Sequence, residues 1–329
     1  MWFLSVIRFI DLFCGVGGIR LGMQSADFKC VFSADINTEC QRVYTENFGD
    51  TVFGDITKIN AKDIPDHEIL CAGFPCQPFS ISGLQRGFED TRGTLFFDVC
   101  RILAEKKPKV VLLENVKNLV YHDHGHTLEV ILNCLKELDY TVTWTLLNAV
   151  DFGVPQNRER FILIGVHGQA FDFGQLQKQQ RVCINDFLDK LPETQYLPSD
   201  TYTLLDNPKQ QTHSGLIFAG YLNKNLRKTG IRAGTEHLSR SHKQPYRIYS
   251  VLGTHPALSS QETSGRYYIL TTDNLVRKLS LDECWRIMGF PAWFKCTSAK
   301  TAQYRQVGNS VCVPMIAEVA SAIKQQIFT

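Results

Sequence analysis

The sequence predicts an α/β fold, a mostly parallel sheet with helices on both faces, joined to a smaller domain that is mainly β and irregular. Three observations lead there. Short β-type runs alternate with apolar residues at helical spacing over about the first 165 residues. A glycine-rich turn follows the first of those runs. From about Gly168 to Leu275 the alternation gives way to a stretch rich in Gln, Thr, Ser, Asn, Tyr and Gly, with no helix repeat.

Ile7 to Phe13 reads as the first strand. Cys30 to Ala34, Ile69 to Ala72, Val110 to Leu113, Val142 to Leu147 and Phe161 to Val166 read as the next ones. Phe96, Val99, Ile102 and Leu103 recur at helical spacing, as do Leu128, Ile131, Leu135 and Leu138, and Pro108 stands where the first of these helices should stop. Order resumes at Ser280 to Met288. Ile316, Val319, Ala320, Ile323 and Ile327 then form the apolar face of a terminal helix, which must pack on the first domain. The expected divisions are residues 1–175, a second domain at 176–276, a hinge segment at 277–303 and a returning C-terminal helix at 304–329.

With 44% apolar and 21% charged residues, the 329-residue chain has the composition of a folded globular protein. Its 35 basic and 33 acidic residues nearly cancel, so net charge implies no partner. Eleven cysteines, an odd number without a C-x2-C pair, argue against a secreted disulfide framework and against structural zinc. Met1 to Phe13 lacks a basic start and is interrupted by Arg8 and Asp11, which favours a strand over a signal peptide. No run approaches the roughly 18 apolar residues of a membrane span. A reduced, cytoplasmic setting is expected.

The turn Phe13-Cys14-Gly15-Val16-Gly17-Gly18 follows the first strand and opens a helix, where glycines let a backbone approach a ligand. Asp35 ends the second strand, where a carboxylate can accept ribose hydroxyls. The pair suits a nucleotide-like cofactor, although Arg20 stands where a full G-x-G-x-x-G needs its last glycine. Gly73-Phe74-Pro75-Cys76-Gln77 follows the third strand, so its cysteine belongs at the ligand-binding edge. Glu114-Asn115-Val116 reaches the same edge from the next strand. An acid beside a thiolate suits attack on an electron-poor heteroaromatic ring: sulfur adds to carbon while the carboxyl hydrogen-bonds the ring nitrogen. Gln156-Asn157-Arg158-Glu159-Arg160 aims guanidinium groups at this crevice. Taken singly, each has a plainer reading: an empty turn, a packed loop cysteine, a solvated charged loop.

Together with Gly308-Asn309-Ser310-Val311, these five motifs occur in the order found in the cytosine-C5 DNA methyltransferases, and the chain resembles that family over residues 7–167 and 277–329. The resemblance implies the S-adenosylmethionine-dependent methyltransferase fold and a DNA-recognition domain in the middle of the chain. It implies methyl transfer from S-adenosylmethionine, with S-adenosylhomocysteine as product, to C5 of a flipped-out cytosine in a short duplex sequence. It implies that Cys76 attacks C6, that Glu114 stabilises the ring at N3 and the exocyclic amine, and that Arg160 and Arg158 hold the site. Phe13, Gly15, Gly17, Asp35, Ile36, Asp55, Pro75, Leu95, Asn309 and Ser310 match cofactor-contact positions, and Ser82 lies in the segment resembling the family's mobile loop. The implied setting is a monomeric prokaryotic modification enzyme, without membrane contact, paired with a restriction endonuclease that reads the same site without a stable complex. No metal is implied. His122-Asp123-His124-Gly125-His126 has the look of a metal site, but reads as a polar loop with Thr127 available as a helix N-cap.

Two departures stand out. Asp35 and Ile36 replace a glutamate and an aromatic, which shortens the ribose contact and weakens adenine stacking. Ala257-Leu258 stands where many relatives carry Thr-Leu near the flipped nucleotide, leaving Ser259 or Ser260 to supply a hydroxyl. A tRNA methyltransferase on the same scaffold and a catalytically dead DNA-binding regulator are the competing readings. A nicotinamide dehydrogenase explains the glycine turn but not Pro75-Cys76 or Glu114-Asn115-Val116.

Positive charge is concentrated in the middle. Between His213 and Arg247 stand Lys224, Arg227, Lys228, Arg232, Arg240, Lys243 and Arg247 against the single acid Glu236, a local +6 that leaves −4 for the rest of a chain of net +2. Such a strip suits DNA phosphates and guanine edges. Alanine at all seven positions should reduce the salt dependence of DNA binding, by roughly 0.9 in log–log slope for each phosphate no longer neutralised. An unchanged slope, measured on specific and random duplexes, would place the strip away from DNA.

Overall fold

The computed structural model describes residues 6–75, 95–223, 234–235, 237–260 and 267–329. Cys76, Ser82, Arg227 and Arg232 lie outside the described residues, as do Lys224, Lys228, Glu236 and the segment from Ser80 to Thr94.

Strands β1 (Arg8–Leu12), β2 (Lys29–Ala34), β3 (Ile69–Ala72), β4 (Val110–Val116), β5 (Tyr140–Asn148), the two-residue β6 (Gln156–Asn157) and β7 (Glu159–His167) account for every strand expected in the first half. All but β6 form one sheet in the order β2-β1-β3-β4-β7-β5. The pairs β1–β2, β1–β3 and β3–β4 are parallel, whereas β7 is antiparallel to both β4 and β5. The carboxyl ends of β1 to β4 and the amino end of β7 therefore share one edge. From β1 the chain runs outward to β2 and then returns to β3 on the other side, the kind of switch point at which such sheets open a crevice.

Helices α1 (Gly18–Gln24), α2 (Thr38–Phe48), α3 (Leu95–Lys106) and α4 (His126–Glu137) belong to the first half, while α5 (Leu281–Arg286), α6 (Lys300–Asn309) and α7 (Val313–Ile327) close the chain. Successive strand residues point to opposite faces. Phe9, Ile69, Val110 and Leu112 pack with Ile19 and Met23 of α1 and Met315, Ile316, Val319 and Ile323 of α7. Ile10, Leu70, Val111 and Leu113 pack with Phe96, Val99, Ile131 and Leu135 of α3 and α4. With both faces covered, these strands read as continuous apolar runs.

The middle of the chain forms a second sheet from β8 (Tyr202–Leu204), β9 (Phe218–Leu222), β10 (Arg247–Ser250), β12 (Tyr268–Leu270) and β13 (Val276–Lys278), in the order β13-β12-β10-β9-β8. The short β11 (His255–Pro256) lies outside that sheet and pairs in parallel with β6, which ties the two regions together. A third core joins Ile184, Val251, Leu258 and Ile269 to Trp285 and Tyr304, and to Val16 and Val43 of the first half. Helix α5 opens with a capping box between Ser280 and Glu283. The Glu283 carboxylate also accepts two bonds of 2.8 Å from Arg277, and both side chains are fully buried.

Three local expectations change. The small sheet runs through Lys278, so the boundary expected at 276 cuts its last strand. The single helix expected at 304–329 is two, α6 and α7, broken at Ser310 to Cys312. Pro314 stands in the first turn of α7, where a missing N–H is tolerated and a new helix readily begins. Thr127 is not the N-cap of α4. That position is Gly125 at φ 91, and the buried Thr127 hydroxyl bonds His122 Nδ1 at 2.7 Å instead. No helix among the described residues is long and apolar enough to cross a membrane.

Helices α1 and α7 touch at Gly22. A Cβ there would lie 2.6 Å from Ile316 Cβ and 2.9 Å from the Ala317 backbone nitrogen, so the helices approach at a distance only glycine allows. Gly22→Ala should cost about 1–3 kcal/mol, read as a lower denaturant midpoint with an unchanged slope. An unchanged midpoint would mean that α7 can slide away at no cost.

Candidate active site

A cavity of about 810 Å³ opens at the shared edge, bounded by residues following β1, β2 and β3, by the last residues of β4, by Arg160 at the start of β7, and by the end of α6. Phe13 and Gly15 take positive φ values of 56° and 53° as the chain leaves β1. A Cβ added at Gly15 would meet nothing within 4 Å, so the backbone there is bare toward open space. The Gly15 amide donates to Asp35 Oδ2 at 2.8 Å and the Asn37 amide to Asp35 Oδ1 at 2.8 Å. Burial still raises the Asp35 carboxyl above its ordinary value, against the pull of these two amides. A carboxylate held this way keeps lone pairs for further donors. Beside it, Ile36 is 72% exposed on the cavity wall, an unusual degree for isoleucine. Asp55, also in the wall, is held below the usual carboxylate range by the hydroxyl and amide of Thr57.

This surface fits S-adenosylmethionine. It offers a bare glycine backbone, carboxylate acceptors for ribose hydroxyls and an amine, and an exposed apolar side chain for a ring face. Phe13, Gly15, Asp35, Ile36, Asp55, Pro75, Leu95, Asn309 and Ser310 all line it. Gly17 does not. Its φ is 94° and a Cβ would fall 2.3 Å from Phe48 Cε2, so this glycine serves the packing of α2 beneath the turn.

On the opposite side, Glu114 and Arg160 form an ion pair, Arg160 Nε to Glu114 Oε1 at 3.1 Å. The register explains it. Glu114 opposes Ile162 and Val116 opposes Arg160, so Glu114 and Arg160 project diagonally from the same sheet face. Burial pushes the Glu114 carboxyl above its ordinary value, with Arg160 and then Arg158 opposing. Glu114 Oε2 lies 3.6 Å from the position a Cβ would take at Gly73, which places this second oxygen over the turn leaving β3. Asn115 fixes that turn by donating from Nδ2 to the Phe74 carbonyl at 2.8 Å. Pro75 and Leu95, the described residues that flank 76–94, both line the cavity.

Arg158 lies 1% exposed and does not line the cavity. Its guanidinium donates to the carbonyls of Leu258 (3.1 Å), Gly308 (2.7 Å) and Ser310 (2.6 Å). Among the described residues no carboxylate pairs with it directly, so that Arg158 and Arg160 together outweigh Glu114 there even when Glu114 is ionised.

Sequence reasoning missed part of the wall. Leu258 lines it, as do Ala302, Arg305 and Gln306 of α6. Residues 302, 305, 306 and 309 follow i, i+3, i+4, i+7, a face that was open to reading once Asn309 was assigned. Ser259 and Ser260, the residues left to supply a hydroxyl in place of Ala257, line the cavity wall. Of the candidate DNA contacts, Arg240 and Lys243 are exposed. Arg247 is half-buried and donates to the His242 carbonyl at 3.1 and 3.0 Å, which gives it a local structural role. No group of three metal-ligating side chains occurs among the described residues, and His126 faces Glu129 at 3.5 Å.

A family model described as C-5 cytosine-specific DNA methylase matches residues 7–325. The chain is 42% identical over 327 residues to the type II methyltransferase M.HhaI of Haemophilus parahaemolyticus, covering 96% of this chain and 94% of that one. It is 42% identical over 330 residues to the type II methyltransferase M.NlaX of Neisseria lactamica, covering 97% and 96%. These matches run through the middle of the chain, which the motifs had left outside the resemblance. Among solved structures, the methyltransferase EhMeth of Entamoeba histolytica superposes with a TM-score of 0.70 at 19% identity, covering 98% of this chain and 99% of that one. The Dnmt2 methyltransferase of S. pombe does so at 0.69 and 18%, covering 98% and 100%.

Beneath the glycine turn, Asp11 is fully buried, with the Tyr44 hydroxyl donating to it at 3.5 Å and Tyr44 in turn 2.6 Å from Ser33. Burial is the largest influence on Asp11 and lifts its carboxyl to about 7, with Arg20 opposing. An unfolded aspartate titrates near 3.9. The folded chain thus holds a proton that the unfolded chain has lost, so stability should fall as pH rises from about 4 to about 7 and level off above. Asp11→Asn should remove that decline, seen as a smaller drop in Tm between pH 5 and pH 8 than in the unmodified chain. Parallel Tm curves would show that Asp11 stays ionised.

Proposed function

The chain belongs to the C-5 cytosine-specific DNA methylase family, and from that premise we propose that Cys76, Glu114 and Arg160 methylate a flipped-out cytosine in duplex DNA through a covalent bond between Cys76 and C6. The family reaction transfers a methyl group from S-adenosylmethionine to C5 of cytosine in DNA. Residues 176–276 form the target-recognition part and residues 277–303 the hinge, with the small sheet carried on to Lys278. The relatives named type II methyltransferases support pairing with a restriction endonuclease of the same specificity. The protein acts as a monomer in the bacterial cytoplasm.

One observation carries the assignment of roles: the buried Glu114–Arg160 pair stands beside the turn that leads from β3 into Pro75 and Cys76. Bound among Phe13, Gly15, Asp35, Ile36, Asp55, Pro75, Leu95, Asn309 and Ser310, the cofactor supplies an electrophilic methyl on a cationic sulfur. Asp35 accepts ribose hydroxyls and Ile36 covers a ring face. The Cys76 thiolate adds to C6, and the electron pair of the C5–C6 double bond shifts to C5 and toward N3. Arg160 engages Glu114 Oε1, which leaves Oε2 to hold a proton against N3, and the raised carboxyl favours that protonated form. The surplus positive charge of Arg158 and Arg160 favours both the thiolate and the electron-rich ring. After C5 is methylated, loss of its proton returns the pair to the C5–C6 bond and expels Cys76. The target must leave the duplex, because neither face of C6 is open in the stack.

Bisulfite sequencing of DNA from cells expressing the chain should reveal one short methylated sequence, and none in cells expressing Cys76→Ala. That variant should bind DNA within about tenfold of the unmodified protein, since the thiol performs chemistry and does not anchor the duplex. DNA with 5-fluorocytosine at the target should trap the unmodified protein in a denaturation-resistant adduct, because fluorine cannot leave as a proton does. Persistence of the adduct in Cys76→Ala would refute the assignment.

A further inference from the structure

The geometry points to Arg158 as the positioning residue through which the cofactor cavity and the DNA-recognition part of the chain sense each other's occupancy, an inference that rests on the methyltransferase reading above. Its guanidinium makes three bonds, to carbonyls on two separate walls of the cavity. Leu258 belongs to the segment that follows β11, between strands β10 and β12 of the second sheet, and Gly308 and Ser310 lie where α6 gives way to α7. Both walls line the cofactor cavity, while the buried guanidinium itself does not.

The surrounding packing leaves little slack. A Cβ at Gly308 would lie 2.6 Å from the carbonyl carbon and oxygen of Ser259 and 2.7 Å from the Ser260 nitrogen, so the walls meet backbone to backbone. Gln156, two residues before Arg158, accepts the Leu258 amide at 3.0 Å and donates to the Ile287 carbonyl at 3.2 Å. Its strand β6 is the one paired with β11. A shift of the 258–260 segment on engaging DNA must therefore displace the Arg158 fork or the 308–310 wall, and a ligand seated against Asn309 and Ser310 resists both. Two residues along the chain, Arg160 holds Glu114, so the same displacement reaches the catalytic pair.

The flat guanidinium matters because it reaches both walls at once, which a lysine ammonium on its single stem does not. Arg277, the other large, fully buried arginine, provides the control: it pairs with Glu283 and donates to the carbonyls of Lys278 and Asp189, none of which lines the cavity.

The test measures the Kd of S-adenosylhomocysteine by calorimetry with and without a duplex carrying the sequence that methylation mapping identifies. The Kd of that duplex is measured with and without S-adenosylhomocysteine. The unmodified protein should show a reciprocal coupling factor within the range of about 5–150-fold usual for linked sites. Arg158→Lys should bring the factor to about 1 while remaining folded by its Tm, and Arg277→Lys should keep it even where its Tm falls further. A merely structural role would lower Tm and both affinities but leave the factor intact. Equal factors in Arg158→Lys and the unmodified protein overturn the inference, as does the absence of coupling in the unmodified protein. If Arg158→Lys does not fold, Arg158→Gln and Gly308→Ala must lower the factor, and its persistence in either overturns the inference. Failure of methylation mapping instead strikes the reading on which the inference rests.

Discussion

Five strands of the main sheet run one way, and β7, between β4 and β5, runs the other. That reversal brings the start of one strand to the end of its neighbour, and it is why Glu114 and Arg160 can meet although 46 residues of chain separate them. Had β7 been parallel, its first residues would lie at the far edge of the sheet. The diagonal register then does the rest, because residues of equal parity across an antiparallel pair share a face. The cofactor side of the cavity depends on the same edge through ordinary parallel geometry, with β1, β2 and β3 each ending beside it.

Charge is distributed unevenly around that edge. Among the described residues Arg158 and Arg160 face a single carboxylate, Glu114, whereas Arg277 of β13 is matched by Glu283 of α5 in a fully buried pair. Breaking such buried arrangements typically costs about 3–5 kcal/mol, because the abandoned partner stays dehydrated. The Arg277–Glu283 pair satisfies itself and binds β13 to α5. The excess around Glu114 has no such closure within the described residues, and an electron-rich ring or a thiolate would complete it. A site left electrostatically incomplete by its own residues is a common feature of catalytic centres.

Several residues singled out in the sequence have partners within the fold that the sequence does not name. Gly17 belongs to a glycine turn, and the space a side chain there would need is taken by Phe48 from α2. Thr127 has the chemistry of an N-cap, but Gly125 at positive φ takes that position and His122 takes the hydroxyl. Arg247 counts as a positive charge in any strip, yet its guanidinium caps the His242 carbonyl. In each case a side chain of familiar chemistry meets a partner supplied by a turn or by another element, and residue type alone does not name that partner.

The sequence by itself determined the strands of the first half, its helices α1, α3 and α4, and the edge at which the chemistry gathers. Apolar periodicity and turn residues are local, and in a parallel sheet they dictate where each strand ends. It also determined the family, since five motifs in order specify the cavity before any of its walls has been placed. Only the tertiary structure separated Arg158 from Arg160. Both stand in one short motif, but Arg160 meets a carboxylate across a strand pair, while Arg158 meets carbonyls 100 to 152 residues away in sequence. Such partners depend on how distant segments are packed together, and a pattern read along the chain carries no information about that packing.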